Sequence, residues 1–179
     1  EEEDLPEGEG DEEEEDDEMY YYSKLTSLPD NFTVNGDLTI YYAYNLEQLP
    51  RNLVVKGDLF MSNSGVKELP ADLKVAGDIM AHSSKLERIA DNFTINGELD
   101  VKLCSNIRRL PNGLTAKELS INNTSIEDVP FNLKVGVLAV GGTPLAEKYT
   151  NAQIEQMIIE RGGFIKKVVS HKEFSLKSN

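Results

Sequence analysis

Apolar residues recur along this chain in a fixed order that is neither a simple helical nor a simple strand period. Each unit approximates L-x-x-L-P-x-x-L-x-V-x-G-D-L-x-I, starting at Leu25, Leu46, Val66, Leu86, Ile107, Ile126 and Leu145. Successive starts lie 21, 20, 20, 21, 19 and 19 residues apart. The stretches LPDNFTVNGDL (28–38) and IADNFTINGEL (89–99) are nearly the same eleven residues written twice. Self-similarity at this period predicts a solenoid, in which one unit cannot bury its apolar side alone and stacked units share a core.

Within a unit, Leu-x-Ile is a strand triplet with alternating faces. Leu38 and Ile40, Leu59 and Met61, Leu99 and Val101, Leu119 and Ile121, and Leu138 and Val140 are expected to point inward. A second apolar column precedes them: Phe32 and Val34, Leu53 and Val55, Leu73 and Val75, Phe93 and Ile95, Leu133 and Val135. The NG, KG and AG pairs between the columns predict tight corners, on the ground that glycine enters positive φ freely. About twenty residues per coil leave no room for a full helix on the far side, which is expected to be extended or a short 3₁₀ turn. From unit start to strand start is 13 residues in the first four units and 12 in those beginning at Ile107 and Ile126, where the Gly of the GD pair is missing or displaced. Indels confined to such places suit coil corners.

The stretches ELPADLKVAGDI and QLPRNLVVKGDL resemble the leucine-rich repeat of the short bacterial type, with LP in each unit, over roughly residues 25–145. The resemblance implies a mainly β solenoid with a parallel sheet, short or no convex helices and a small C-terminal α/β cap. Secreted bacterial effectors carry similar repeats, some joined to a ubiquitin-ligase domain with a catalytic Cys. Here the one cysteine, Cys104, sits inside a repeat, so that activity is not carried over. Repeats with GDL corners, and an ending such as GTPLAEKY, are also similar to those of proteins encoded by tailed bacteriophages.

Charge divides the chain into an acidic arm (1–18), a repeat region (19–145) opening with a partial unit, DEMYYYSKL, and a cap with a basic tail (146–179). The arm holds fourteen acids and no base; removing them from the 32 acids leaves 18 against 18 Lys and Arg. The formal charge of −14 therefore belongs to the arm, which lacks the apolar surface to fold alone. In the last segment Asn151 is expected to N-cap a helix AQIEQMIIER, with Ile154, Met157 and Ile158 on one face and Gly162 ending it, followed by a strand FIKKVV (164–169). After residue 160 five bases oppose Glu173, a net +4, too mixed to suggest nucleic acid. No apolar run approaches the roughly 18 residues of a membrane-spanning helix. The acidic opening does not resemble a secretory signal, and the missing initial Met leaves room for processing or an upstream start.

Convergent chemistry is sparse. The two histidines are His82 and His171; His171 follows Ser170, and adjacent strand residues face opposite ways. No metal-ligating, phosphate-cradling or nucleophile-elbow motif is present, and GGT (141–143) reads as another corner, so neither enzyme activity nor a cofactor is expected. The sequons at Asn31, Asn92 and Asn122 read as Asn in corners and Thr in strands. A column of acids precedes the strands (Asp37, Asp58, Asp78, Glu98, Glu118). Stacking would space them by about 5 Å, as caps for backbone N–H groups or as a cation-binding or basic-partner edge. The outward positions Thr39, Tyr41, Phe60, Ser62, Met80, His82, Asp100, Lys102, Ser120 and Asn122 place Tyr41, Phe60 and Met80 side by side on an open sheet face, which points to an interface.

The expectation is a non-enzymatic protein–protein interaction scaffold. Its partner-binding residues would be Tyr41, Phe60, Met80, His82, Asp100 and Lys102 on the sheet face, and Glu12, Glu13, Glu14, Glu15, Asp16 and Asp17 in the arm. Its partners would be proteins, possessing for the arm a basic surface, and neither nucleic acid nor membrane. A bacteriophage virion component, associated with or decorating the capsid, is the leading expectation. A secreted bacterial effector or host-interaction leucine-rich-repeat protein, and an acidic-tail binder of basic proteins, are the alternatives, with the bacterial cytoplasm or secretion as the alternative locations to the virion.

Overall fold

A computed structural model of the chain describes residues 23–170. The acidic arm, Met19–Tyr22 and His171 with the rest of the basic tail lie outside the described residues.

Successive coils stack as a parallel β-solenoid. In chain order the strands are β1 (Thr33–Val34), β2 (Leu38–Thr39), β3 (Val54–Val55), β4 (Leu59–Phe60), β5 (Glu68–Leu69), β6 (Lys74–Val75), β7 (Ile79–Met80), β8 (Arg88–Ile89), β9 (Glu98–Asp100), β10 (Thr115–Ser120) and β11 (Lys134–Ala139). Helices α1 (Pro144–Lys148) and α2 (Asn151–Glu160) then lead into β12 (Phe164–Val169). The six repeat triplets, with β12 of the cap added at one edge, form a seven-stranded parallel sheet, ordered β12-β11-β10-β9-β7-β4-β2. Its register follows the repeat, with Leu38 beside Leu59, Leu59 beside Ile79 and Ile79 beside Leu99. The second apolar column forms the three-stranded sheet β1-β3-β6, and the far side is extended, with β5 pairing β8.

The core is the aliphatic spine that stacking creates. Leu46, Leu53, Leu59, Met61, Leu69, Ile79, Leu86, Leu99, Ile107, Leu119 and Ile121 are all sealed from solvent. The Ile79–Ala81 pair and the Leu114–Ala116 pair belong to the same columns, although Ala hides the pattern in the sequence. The first coil differs: Phe32, Val34 and Leu38 are only half-buried, as is Val75 further on.

Left-handed residues mark two turns of the coil. One set comprises Asn31, Asn52, Asn92, Gly113, Asn132 and Gly162, and the other Tyr42, Asn63, Ser83, Leu103, Asn123 and Gly142. Asn and Gly tolerate this region best, which accounts for all of the first set and half of the second. The glycine of the GD pair belongs to neither, so the expected reason for it was mistaken. A Cβ on Gly57, Gly77 or Gly97 would lie 2.0, 1.9 or 2.1 Å from the carboxylate Oδ1 of Asp37, Asp58 or Asp78 on the preceding coil. Glycine is required there by contact between coils, not by its own dihedral. Where a residue is lost from this bend, the two strands merge, giving the six-residue β10 and β11.

At the C-terminal end the cap helix forms, with one correction. Thr150, not Asn151, is its N-cap: the Thr150 hydroxyl accepts from Gln153 N–H while Gln153 Oε1 accepts from Thr150 N–H, a capping box. Ile154 and Ile158 are buried on the last coil, whereas Met157 is half-buried. Gly162, at φ 78°, follows the helix. The segment taken as the start of a seventh repeat folds instead as α1, capped by Thr143, with Leu145 buried.

Candidate docking face of the seven-stranded sheet

Strand alternation places three columns on the outward face. Asp37, Asp58, Asp78, Glu98 and Glu118 form one. Thr39, Phe60, Met80, Asp100 and Ser120 form the next, and Tyr41, Ser62, His82, Lys102 and Asn122 the third.

The acid column is a ladder of hydrogen bonds between coils. Asp58 N–H donates to Asp37 Oδ1 at 2.8 Å, Asp78 N–H to Asp58 Oδ1 at 2.8 Å and Glu98 N–H to Asp78 Oδ1 at 2.7 Å. Each carboxylate thus satisfies a backbone donor one coil on, which fixes its position without removing its charge. At Glu98 the charges accumulate. Partial burial, then the neighbouring Asp100, Glu118 and Asp78, raise its carboxyl above the ordinary glutamate value, against which Lys102 pulls only weakly.

The face changes character along the solenoid. At the first coils it is aromatic. Tyr41 lies 5.9 Å from Phe60 and 6.5 Å from Tyr42, and Tyr42 lies 6.2 Å from Tyr44, all tilted, between ring centroids. Tyr41, Tyr42 and Tyr44 are 39%, 45% and 38% exposed, and Phe60 and Met80 half-exposed beside them. Tyr42 and Tyr44 were not among the expected docking residues. Tyr42 sits in a left-handed turn, so strand alternation does not place it. The repeated aromatic letters of YYAYN were the available signal.

Further along, the face is polar and internally bonded. Asp100 points outward as expected, yet only 3% of it is exposed. Its Oδ2 accepts from Lys102 Nζ at 2.8 Å and lies 3.8 Å from His82 Nδ1, and its Oδ1 accepts from Lys102 N–H at 3.0 Å. Ser62, also buried, donates its hydroxyl proton to Met80 O at 3.1 Å, which leaves Oγ to accept from His82 Nδ1 at 2.9 Å. Ser62 and Asp100 therefore meet the same ring nitrogen. A nucleophile relay needs Ser and Asp on opposite nitrogens, so this trio holds the face in shape rather than making a nucleophile. Asn122 bridges in the same way, accepting from Gly141 N–H at 2.6 Å and donating to Ser120 Oγ at 3.2 Å.

Other candidate chemistry resolves into packing. Cys104 is buried; its thiol donates to Ala81 O at 3.1 Å and contacts Ser84 Oγ at 3.4 Å, and burial pushes its pKa up, away from the thiolate. A cleft of about 500 Å³ on the far side is lined by Glu68, Arg88, Asp91 and Arg109, among others, but Arg88 and Glu68 already pair at 2.5 Å. Among the described residues no group of three or more His, Cys, Asp or Glu is placed to hold a metal ion. No described helix is long and apolar enough to cross a membrane.

These features define a parallel β-solenoid repeat protein with one aromatic-and-acidic sheet face. A scan against protein-family models, a search of curated proteins and a search of solved structures each found no match.

Proposed function

We propose that the protein is a non-enzymatic protein–protein interaction scaffold of the leucine-rich type, which docks partners through the outward face of its seven-stranded sheet. The observation that carries the reading is the aromatic cluster of Tyr41, Tyr42, Tyr44 and Phe60, left accessible where a solvated sheet would carry polar side chains. Tyrosine supplies large contact area at small entropic cost, and such residues dominate binding energy at interfaces. The carboxylate ladder alongside is fixed in advance, so a basic partner would meet charges that need no reordering. The acidic arm adds a second, electrostatic contact for the same class of partner.

The leucine-rich assignment draws on the coil length of about twenty residues, the LP in successive units and the buried leucine spine. Its resemblance to bacteriophage repeats favours a virion component, associated with or decorating a capsid. That placement predicts a fixed copy number in purified particles. Replacing Tyr41 and Phe60 together by Ser should remove the protein from its assembly while leaving its thermal unfolding nearly unchanged, because both residues are on the solvent side. Retention of the variant at full copy number would overturn the docking face. Recovery of the protein from culture supernatant or host cells, and not from particles, would replace the virion reading with the secreted effector.

A further inference from the structure

Three asparagines in the chain directly precede a glycine: Asn35–Gly36, Asn96–Gly97 and Asn112–Gly113. Such a pair is reactive, because a glycine nitrogen has no Cβ beside it to hinder attack on the asparagine side-chain amide. The first two pairs sit in the matching stretches TVNGDL (33–38) and TINGEL (94–99), so their intrinsic reactivity is nearly the same. The bends between them carry Lys56–Gly57 and Ala76–Gly77, with no amide to react. What separates Asn35 from Asn96 is the set of coils that hold each one.

Asn35 and Gly36 are both exposed, and a Cβ on Gly36 would meet nothing within 4 Å. The described residues hold this bend from one side only: Lys56 N–H donates to Val34 O and Gly57 N–H to Gly36 O, each at 3.0 Å. Among the described residues neither the Gly36 N–H nor the Asn35 side-chain amide has a hydrogen-bond partner. The matching bend of the fourth coil is held from both sides. Lys117 N–H donates to Gly97 O at 3.0 Å and Ile95 N–H to Thr115 O at 2.9 Å, while Glu98 N–H donates to Asp78 Oδ1 at 2.7 Å. A Cβ on Gly97 would lie 2.6 Å from Gly77 O. At the third pair both reacting groups are already engaged. Gly113 N–H donates to Phe131 O at 2.9 Å, and Asn112 Oδ1 accepts from Phe131 N–H at 3.0 Å.

We propose that Asn35 is a site of spontaneous deamidation in the folded protein, while stacking protects Asn96 and hydrogen bonding protects Asn112. The Gly36 nitrogen attacks Asn35 Cγ as its proton is lost through solvent. The Cγ–Nδ2 bond breaks, and the departing nitrogen takes up a proton and leaves as ammonia, giving a cyclic imide. Water then adds to either imide carbonyl and opens the ring, to aspartate or to its β-linked isomer. Water is the one co-reactant, and nothing is oxidised or reduced. Ring closure requires the Asn35–Gly36 peptide to turn out of the bend, and open space at Gly36 permits that turn. The same turn at Asn96 would disturb bonds to the coils before and after it. The product places a new negative charge two residues from Asp37, the first carboxylate of the ladder.

Incubating the folded full chain in heavy-oxygen water at mildly alkaline pH, then mapping its peptides by mass, tests this. Asn35 should convert faster than Asn96 by about tenfold or more, because Asn96 must wait for local opening of the stack. Asn112 should convert more slowly than Asn35, and the new carboxyl at residue 35 should carry solvent oxygen. In the chain unfolded by urea the rates at Asn35 and Asn96 should converge, since their neighbours in sequence match. Gly36→Ala, whose Cβ meets open space, should slow conversion at Asn35 without lowering the unfolding midpoint and leave Asn96 unchanged. Equal rates at Asn35 and Asn96 in the folded chain would overturn the proposal. So would conversion led by Asn112, or an Asn35 that reacts only after unfolding. None of these readings depends on whether Tyr41 and Phe60 bind a partner.

Discussion

The two ends of the solenoid solve the same problem differently. At the last coil, α2 lays Ile154 and Ile158 over the core, a capping box fixes the helix start, and Glu155 accepts from the Val168 N–H of the edge strand at 2.8 Å. That edge strand is six residues long and carries Lys166 and Lys167, which discourage further strand pairing. At the first described coil, β1 and β2 are two residues each and their apolar side chains are half-buried. The difference teaches that a residue's burial here is set less by its type than by whether a coil lies on both sides of it. Leu38 and Leu59 hold the same repeat position and pair directly, yet only Leu59 is sealed. Stability in such a stack is a sum of coil and neighbour terms, so the ends should differ measurably from the middle.

The glycine of the bend gives the sharper of two ways to break that comparison. Gly77→Ala forces Asp58 off its bond to Asp78 N–H and should destabilise the fold by about 1–3 kcal/mol in denaturant unfolding, as overpacking does. Gly36→Ala meets open space and should be neutral or stabilising by up to about 1 kcal/mol, through the unfolded state. Adding Asp58→Ala to Gly77→Ala should cost less than the two single losses together, because one change removes the atom that the other strikes. Equal losses at Gly36 and Gly77 would mean that a backbone preference, not contact between coils, selects glycine.

A smaller effect concerns Glu98, inside the stack, where partial burial and then the charges of Asp100, Glu118 and Asp78 oppose its ionisation. Its folded pKa is raised, so the folded state disfavours the ionised form, and the penalty is present at neutral pH. The penalty fades as pH falls through the folded value and is gone below the unfolded one. Glu98→Gln should therefore raise the unfolding midpoint at pH 7 and leave it unchanged below about pH 4, where glutamate is protonated in both states. Salt should shrink the gain. A gain of equal size at both pH values would assign it to something other than charge.

The sequence carried the fold because repetition multiplies a weak signal. One Leu-x-Ile triplet could belong to any strand, but the same triplet at steps near twenty residues admits only stacked coils. The shortened spacing after Ile107 and Ile126 was legible as a change at a coil corner, but not that the two strands merge there. What stayed hidden depends on contacts across coils. The acids before each strand were legible as a column, but not that Asp58 Oδ1 occupies the space a Cβ of Gly77 would need. Asp100 was legible as outward, but its burial under Lys102 of its own coil and His82 of the coil before needs both coils at once. The helix cap moved by one residue, from Asn151 to Thr150, because both types cap well and Gln153 completes a box only with Thr150. α1 was missed because Leu145 satisfies the repeat pattern while Thr143 and Pro144, a cap and a first-turn proline, start a helix at the same place.

The most direct test of coil-on-coil stacking is a series of equivalent leucine truncations along one column, compared by denaturant unfolding. Leu59→Ala, Leu99→Ala and Leu138→Ala remove fully buried side chains and should each cost about 2–5 kcal/mol. Leu38→Ala, at the half-covered end, should cost clearly less than any of them. A loss at Leu38 equal to that at Leu59 would contradict the account, since the first coil would then be sealed by something other than a neighbour in register.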